Sequence, residues 1–164
     1  MRRTGFKKKQ TKPMKRGKLR VVGHSTTAEQ KQEIQYLVRE IVMKRDGGCI
    51  LRNLPSHRCS GFSKKDGHLI LQADHLISRA NSATYADTRL IVCICNGLHG
   101  WKKWHEAEYN EMVRKVISKE RVALWDRCEA DRRSHKTRKM DWKVEILALK
   151  QELFNLSTPL TSMK

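Results

Sequence analysis

The chain lacks any apolar run approaching the length of a membrane span, and its N-terminus lacks the apolar core of a secretory signal. Both absences point to a protein of the cytoplasm, or of the nucleus if its host has one. Acids are scarce as well. Against 35 lysines and arginines stand 17 aspartates and glutamates, a formal net charge of +18 on 164 residues with a pI near 10.1. That surplus excludes an ordinary soluble enzyme of small neutral substrates and asks for an anionic partner. Nucleic acid is the first candidate and an anionic membrane surface the second. A set of paired disulfides is not suggested either, because the cysteines number 5. Cys49, Cys59, Cys93 and Cys95 sit close to histidines, which in a reducing compartment favours metal ligation. Cys128, alone in a helical stretch, reads as an ordinary buried thiol.

Internal repeats are also missing, so the order of segments carries the organisation. Residues 1–22 hold 10 lysines and arginines and no acid. Such a segment cannot build a core, and residues 1–24 are predicted to be a disordered basic arm. Arg2, Arg3, Lys7, Lys8, Lys9, Lys15 and Arg16 would neutralise DNA phosphates there. Next, Ser25 or Thr26 can cap a helix, with Glu29 at the offset of a capping box. Ile34, Leu37, Val38, Ile41 and Val42 recur at helical spacing until Gly47-Gly48 ends the run. "HLILQADHLI" (68–77) and "RLIVCIC" (89–95) are strand-like. From Trp101 onward the pattern is helical, with residues 105–133 amphipathic and a last helix from about Met140 to Asn155. The chain therefore reads as α+β: arm, helix, two strands with a loop between, then helices. We divide it into the arm, a core over 25–106 and a helical extension over 107–164 that would serve DNA binding or dimerisation.

The chemistry concentrates in "QADHLISRANSATYADTRLIVCICNGLHG" (72–100). Asp74 and His75 are adjacent at a strand end, so their side chains take opposite sides and can serve different roles. A carboxylate is a hard ligand suited to Mg²⁺ or Mn²⁺. A neutral imidazole can take a proton from water. Hydrolysis of a phosphodiester needs both. Asn96 and His99, on one face of a helix starting near residue 97, would bring further ligands against Asp74. Arg79 is a candidate phosphate clamp, since a guanidinium grips two oxygens. Cys49, Cys59, Cys93 and Cys95 could pin the loops through one Zn²⁺, with His57 or His68 able to replace a cysteine. Lys102 and Lys103 are further candidates for DNA contact. Trp101 and Trp104, which flank them, could stack on unpaired bases, although hydrophobic anchoring of the helix is the preferred reading.

These residues resemble the HNH endonucleases, the His-Me finger or ββα-metal group. "KRDGGC" (44–49) is similar to the lead-in of many members, "QADHLIS" (72–78) to their Asp-His strand, and "CICNG" (93–97) to their second cysteine pair followed by Asn. The resemblance implies a small ββα-metal core with a preceding helix. It makes His75 the general base and Asp74 and Asn96 the ligands of the catalytic ion, with His99 a further candidate ligand from the residue pattern itself. A narrower likeness, from about residue 38 to 154, is to the NinG (Rap) recombination endonucleases of phage lambda. Tyr109, Val113, Lys115, Lys136, Thr137 and Arg138 stand at comparable places. It implies cleavage of branched DNA, such as a Holliday junction, by a phage-encoded enzyme in the bacterial host cytosol; symmetric junction cutting would need two nuclease centres and hence a homodimer. Two positions depart from the family. Thr88 stands where its central asparagine falls, with Asn81 earlier in the loop as a substitute, and Cys-x-Cys is shorter than the usual pair. The competing class is a non-catalytic zinc-containing nucleic-acid binder. A histone-like packaging protein is the third and predicts no metal dependence.

Overall fold

The first helix is written into its own ends. In the computed structural model, which describes residues 26–131 and 140–158, α1 spans Thr27–Asp46. The Thr26 hydroxyl accepts from the Glu29 amide while the Glu29 carboxylate accepts from the Thr26 amide. This reciprocal cap stabilises a helix start by about 1 kcal/mol. Gly47 closes the other end at φ 60°, a left-handed conformation that costs glycine nothing. Ile34, Leu37, Val38, Ile41 and Val42 are all buried, as their spacing predicts.

Strands β1 (Leu71–His75) and β2 (Ile91–Cys95) pair antiparallel, with Ala73 opposite Cys93 and His75 opposite Ile91. A sheet of two strands has no interior of its own, so both faces must be covered. Ile91 and Cys93 turn toward α1 and α5 (Trp142–Ser157), in one cluster with Ile34, Leu37, Ile146 and Leu149. Val92 and Ile94 turn the other way. They pack with Leu98 of α2 (Asn96–Trp101), Tyr109 and Val113 of α3 (Glu106–Val116) and Trp125 of α4 (Lys119–Ala130). The architecture is thus α+β, a hairpin between two helical layers. None of the described helices is long and apolar enough to cross a membrane.

Several boundaries differ from the sequence pattern. Leu69 lies outside β1 and makes an isolated bridge with Phe62. The amphipathic run over 105–133 breaks after Ile117, where the Ser118 hydroxyl accepts from the Arg121 amide and starts α4. The line drawn at 106/107 crosses continuous packing, because α3 and α4 complete one apolar cluster and α5 completes the other. The arm over 1–24, with all its phosphate-contact candidates, lies outside the described residues.

The loop from 76 to 90 is held from two elements, α1 and the C-terminal helix. Gln35 Nε2 donates to the Tyr85 hydroxyl at 2.8 Å, and Arg45 Nη1 to the Thr88 carbonyl at 2.7 Å. Thr88 Oγ1 donates to Glu152 Oε1 of α5 at 2.7 Å. Thr88 therefore anchors this loop through a threonine–glutamate bond. Asn81 acts locally, its side chain accepting from the Ala83 amide at 3.0 Å.

On the opposite side, the segment around Ser60 is pressed against the start of α2. The Gly97 amide donates to the Ser60 carbonyl at 3.0 Å, and a Cβ on Gly97 would stand 1.9 Å from Ser60 Oγ. Gly100, in the same helix, has nothing within 4 Å of that position. The two glycines should respond with opposite signs. Gly97→Ala is expected to lose about 1–3 kcal/mol through overpacking, and Gly100→Ala to gain about 0.5–1 kcal/mol of helix propensity. Urea unfolding of both variants checks this; a stabilised Gly97→Ala would contradict the close approach.

Candidate metal centre and active site

Four ligand atoms converge beside α2. The sulfurs of Cys49, Cys59 and Cys95 and a ring nitrogen of His57 all lie within 4.8 Å of one another. His57 Nε2 stands 3.8 Å from the Cys49 sulfur and 3.6 Å from each of the other two. A tetrahedral ion with metal–sulfur bonds of about 2.3 Å and a metal–nitrogen bond of about 2.0–2.1 Å would have N···S edges of about 3.6 Å. The donor set is therefore spaced as a coordination shell and could hold a metal ion. Burial and the neighbouring thiols push the Cys59 thiol up to about 12, and burial raises Cys49 as well. The Cys49 and Cys59 thiols, held protonated in such surroundings, would give up their protons to a bound cation.

This set corrects the sequence reading at one ligand. Cys93 is absent from it and His57 takes its place, while His68 lies outside as well. The reason is local. Residues two apart on a strand share a face, and Cys93 accordingly packs with Ile91 against α1. Cys95 is the last residue of β2 and the N-cap of α2, and it groups instead with Val92 and Ile94. The turn into the helix carries its sulfur to the far side.

Asp74 and His75 take opposite faces of β1, as adjacent strand residues must. Asp74 is buried, and its Oδ2 accepts from Tyr109 Oη at 2.6 Å and from Lys102 Nζ at 2.7 Å. Its Oδ1 faces His99 Nε2 at 3.7 Å. Burial and the adjacent carboxylate raise the Tyr109 phenol far above its ordinary value, so it stays a donor. Lys102 also reaches the His75 carbonyl at 3.2 Å and lies over the Tyr109 ring. The ammonium that the charge pattern assigns to DNA is thus bound to the carboxylate. Asn96 shares the first turn of α2 with His99, but its side-chain oxygen accepts from Gln72 Nε2.

On the other face, His75 Nε2 stands 3.1 Å from the Tyr85 carbonyl. A carbonyl only accepts, so this contact puts the proton on Nε2 and leaves the lone pair on Nδ1. Burial lowers the His75 pKa, partly offset by that carbonyl, and favours the neutral ring. Arg79, exposed, lines the same groove as His75. Lys103 is exposed, and so is Trp104, at 85%. Trp104 therefore does not anchor its helix, while Trp101 stacks on His105 with ring centroids 4.4 Å apart. Tyr109 as a partner of Asp74 is the residue the sequence left unassigned. The available signal was a tyrosine on the apolar stripe of α3, whose hydroxyl must find a partner once buried.

Set against protein-family models, curated proteins and solved structures, the chain matches none of them. The ligand geometry carries its own test. Purified protein should contain one tightly bound metal ion per chain by elemental analysis. Cys93→Ala should keep it, and His57→Ala or Cys95→Ala should lose it or bind it at least about tenfold more weakly. Because the Cys49 and Cys59 thiols hold their protons, binding should release protons, and affinity should rise with pH. A metal retained by Cys95→Ala and lost by Cys93→Ala would contradict the assignment.

Proposed function

We propose that the protein is a metal-dependent DNA endonuclease, with a structural Zn²⁺ held by Cys49, His57, Cys59 and Cys95. The observation that carries this reading is the end of β1. There a neutral imidazole with a free Nδ1 and a carboxylate with one uncommitted oxygen emerge on opposite faces of the same strand. His75 serves as general base. A water placed at its Nδ1 loses a proton as it attacks phosphorus, while the Tyr85 carbonyl holds the ring in the required tautomer. Asp74 through Oδ1 and His99 through Nε2 would hold a Mg²⁺ or Mn²⁺ ion, joined by Asn96 if its oxygen turns from Gln72. Such an ion, when bound, offsets phosphate charge and stabilises the leaving oxygen. Tyr109 and Lys102 fix Asp74 by occupying Oδ2, which leaves a single oxygen for the cation.

DNA as partner is supported by the net charge of +18. The narrower substrate, branched recombination DNA, rests on the likeness to the NinG (Rap) endonucleases. One observation favours the rival reading of a non-catalytic zinc-containing nucleic-acid binder, namely that Lys102 already neutralises Asp74. Nicking of supercoiled plasmid and of a four-way junction, with Mg²⁺ or Mn²⁺, separates the two. Wild type should nick, and His75→Ala should lose about 10²- to 10⁴-fold, the usual worth of a general base. Wild type that binds DNA yet cuts neither substrate would leave the binder reading, and normal cutting by His75→Ala would remove His75 as base.

A further inference from the structure

We propose that the groove between α1 and the outer edge of β1 is the track for the phosphate backbone of the bound DNA strand, with Arg39 and Arg79 as its cationic walls. The inference rests on the nuclease reading for the identity of its ligand, and on the groove itself for its location. Among the described residues β1 pairs on one side only, leaving its other edge open there, and α1 runs alongside it. The cleft between them has a volume of about 330 Å³, and its lining includes Gln35, Arg39, Gln72, His75, Arg79 and Tyr85.

The charge of the lining sets this cleft apart. It contains two guanidiniums and not one carboxylate. The cleft on the other side of His75 contains Glu106 and Glu129, and the cleft beyond α2 contains Glu108 and Glu111. Both arginines are also available. Arg45, Arg89 and Arg114 each pair with an aspartate, whereas Arg39 and Arg79 have no ion-pair partner among the described residues and are solvent-exposed. Two guanidiniums left unpaired around one imidazole mark where an anion is accepted.

The geometry is also preorganised. Gln35 lies one helical turn before Arg39 and holds the Tyr85 hydroxyl at 2.8 Å, and Tyr85 in turn accepts from His75 through its carbonyl. The wall that presents Arg39 and the residue that orients His75 are thus one hydrogen-bonded unit. Guanidiniums grip two phosphate oxygens at once. Contacts to phosphate carry no base information, so the track should accept every sequence equally.

The test is the salt dependence of binding, read by fluorescence anisotropy with the full chain. The probes are two labelled 20-bp duplexes of unrelated sequence, without added divalent metal. Each phosphate contact contributes about 0.9 to the slope of log Kd against log salt. Arg39→Ala and Arg79→Ala should each lower the slope by about 0.9 on both duplexes and weaken binding roughly tenfold. Arg39→Lys should keep the slope and lose part of the affinity. Lys119→Ala, an exposed cation on α4, should change the slope far less. The proposal is overturned if both arginine variants keep the wild-type slope, or move it no more than Lys119→Ala does. It is equally overturned if wild type ignores the duplexes and binds vesicles of anionic phospholipid with the same dependence on Arg39. Altered slopes in a protein that never nicks would retain the track and remove the nuclease; nicking with unaltered slopes would remove the track alone.

Discussion

Everything on the α2 side of the hairpin depends on where Cys95 is held. Its sulfur lies in a shell with Cys49, Cys59 and His57, and its backbone is the N-cap from which α2 departs. The four ligands thus join the segment after α1 to the helix that carries Asn96, His99 and, in the turn that follows, Lys102. Six residues of α2 are too few to hold a direction by themselves, since isolated helices of that length are unstable in water. A metal ion held by that group would supply the missing constraint, and the tight contact of Ser60 with Gly97 sets the helix at one distance from the loop. His99 reaches Asp74 as a result.

The other half of the site is built from different material. His75 takes its orientation from the Tyr85 carbonyl, and Tyr85 is held by Gln35 of α1 and packed edge-on against Trp142 of α5. Glu152 of α5 then ties Thr88 at the far end of the same loop. The C-terminal helix, which looks from the sequence like an appendage, is therefore a brace for the imidazole. Two supports act on one strand: the Cys–His ligand group behind Asp74, and a hydrogen-bonded helix pair behind His75.

How much of this is legible in the chain follows from range. α1 was readable because its capping box, apolar spacing and glycine stop are all local. The Asp-His pair and Asn96 could be singled out, since short motifs survive without knowledge of packing. The choice of Cys95 over Cys93 could not, because it turns on where the strand stops: Cys95 is both the last residue of β2 and the N-cap of α2. Nor could the bond from Tyr109 to Asp74, which closes across 35 residues. Arg39 sits on the polar side of an amphipathic helix, and from sequence it looks like any other solvated cation. Only the packing of α1 beside β1 separates it from the arginines that find acids. Trp104 errs in the same way, its exposure being set by the turn over 102–104.

The metal shell is the claim on which both the fold of α2 and the placing of His99 depend. X-ray absorption at the zinc edge on the purified protein reads that shell directly. The account predicts three sulfurs at about 2.3 Å and one nitrogen at about 2.0–2.1 Å. A shell of four sulfurs, which would bring Cys93 back, or one of oxygen and nitrogen alone would contradict it.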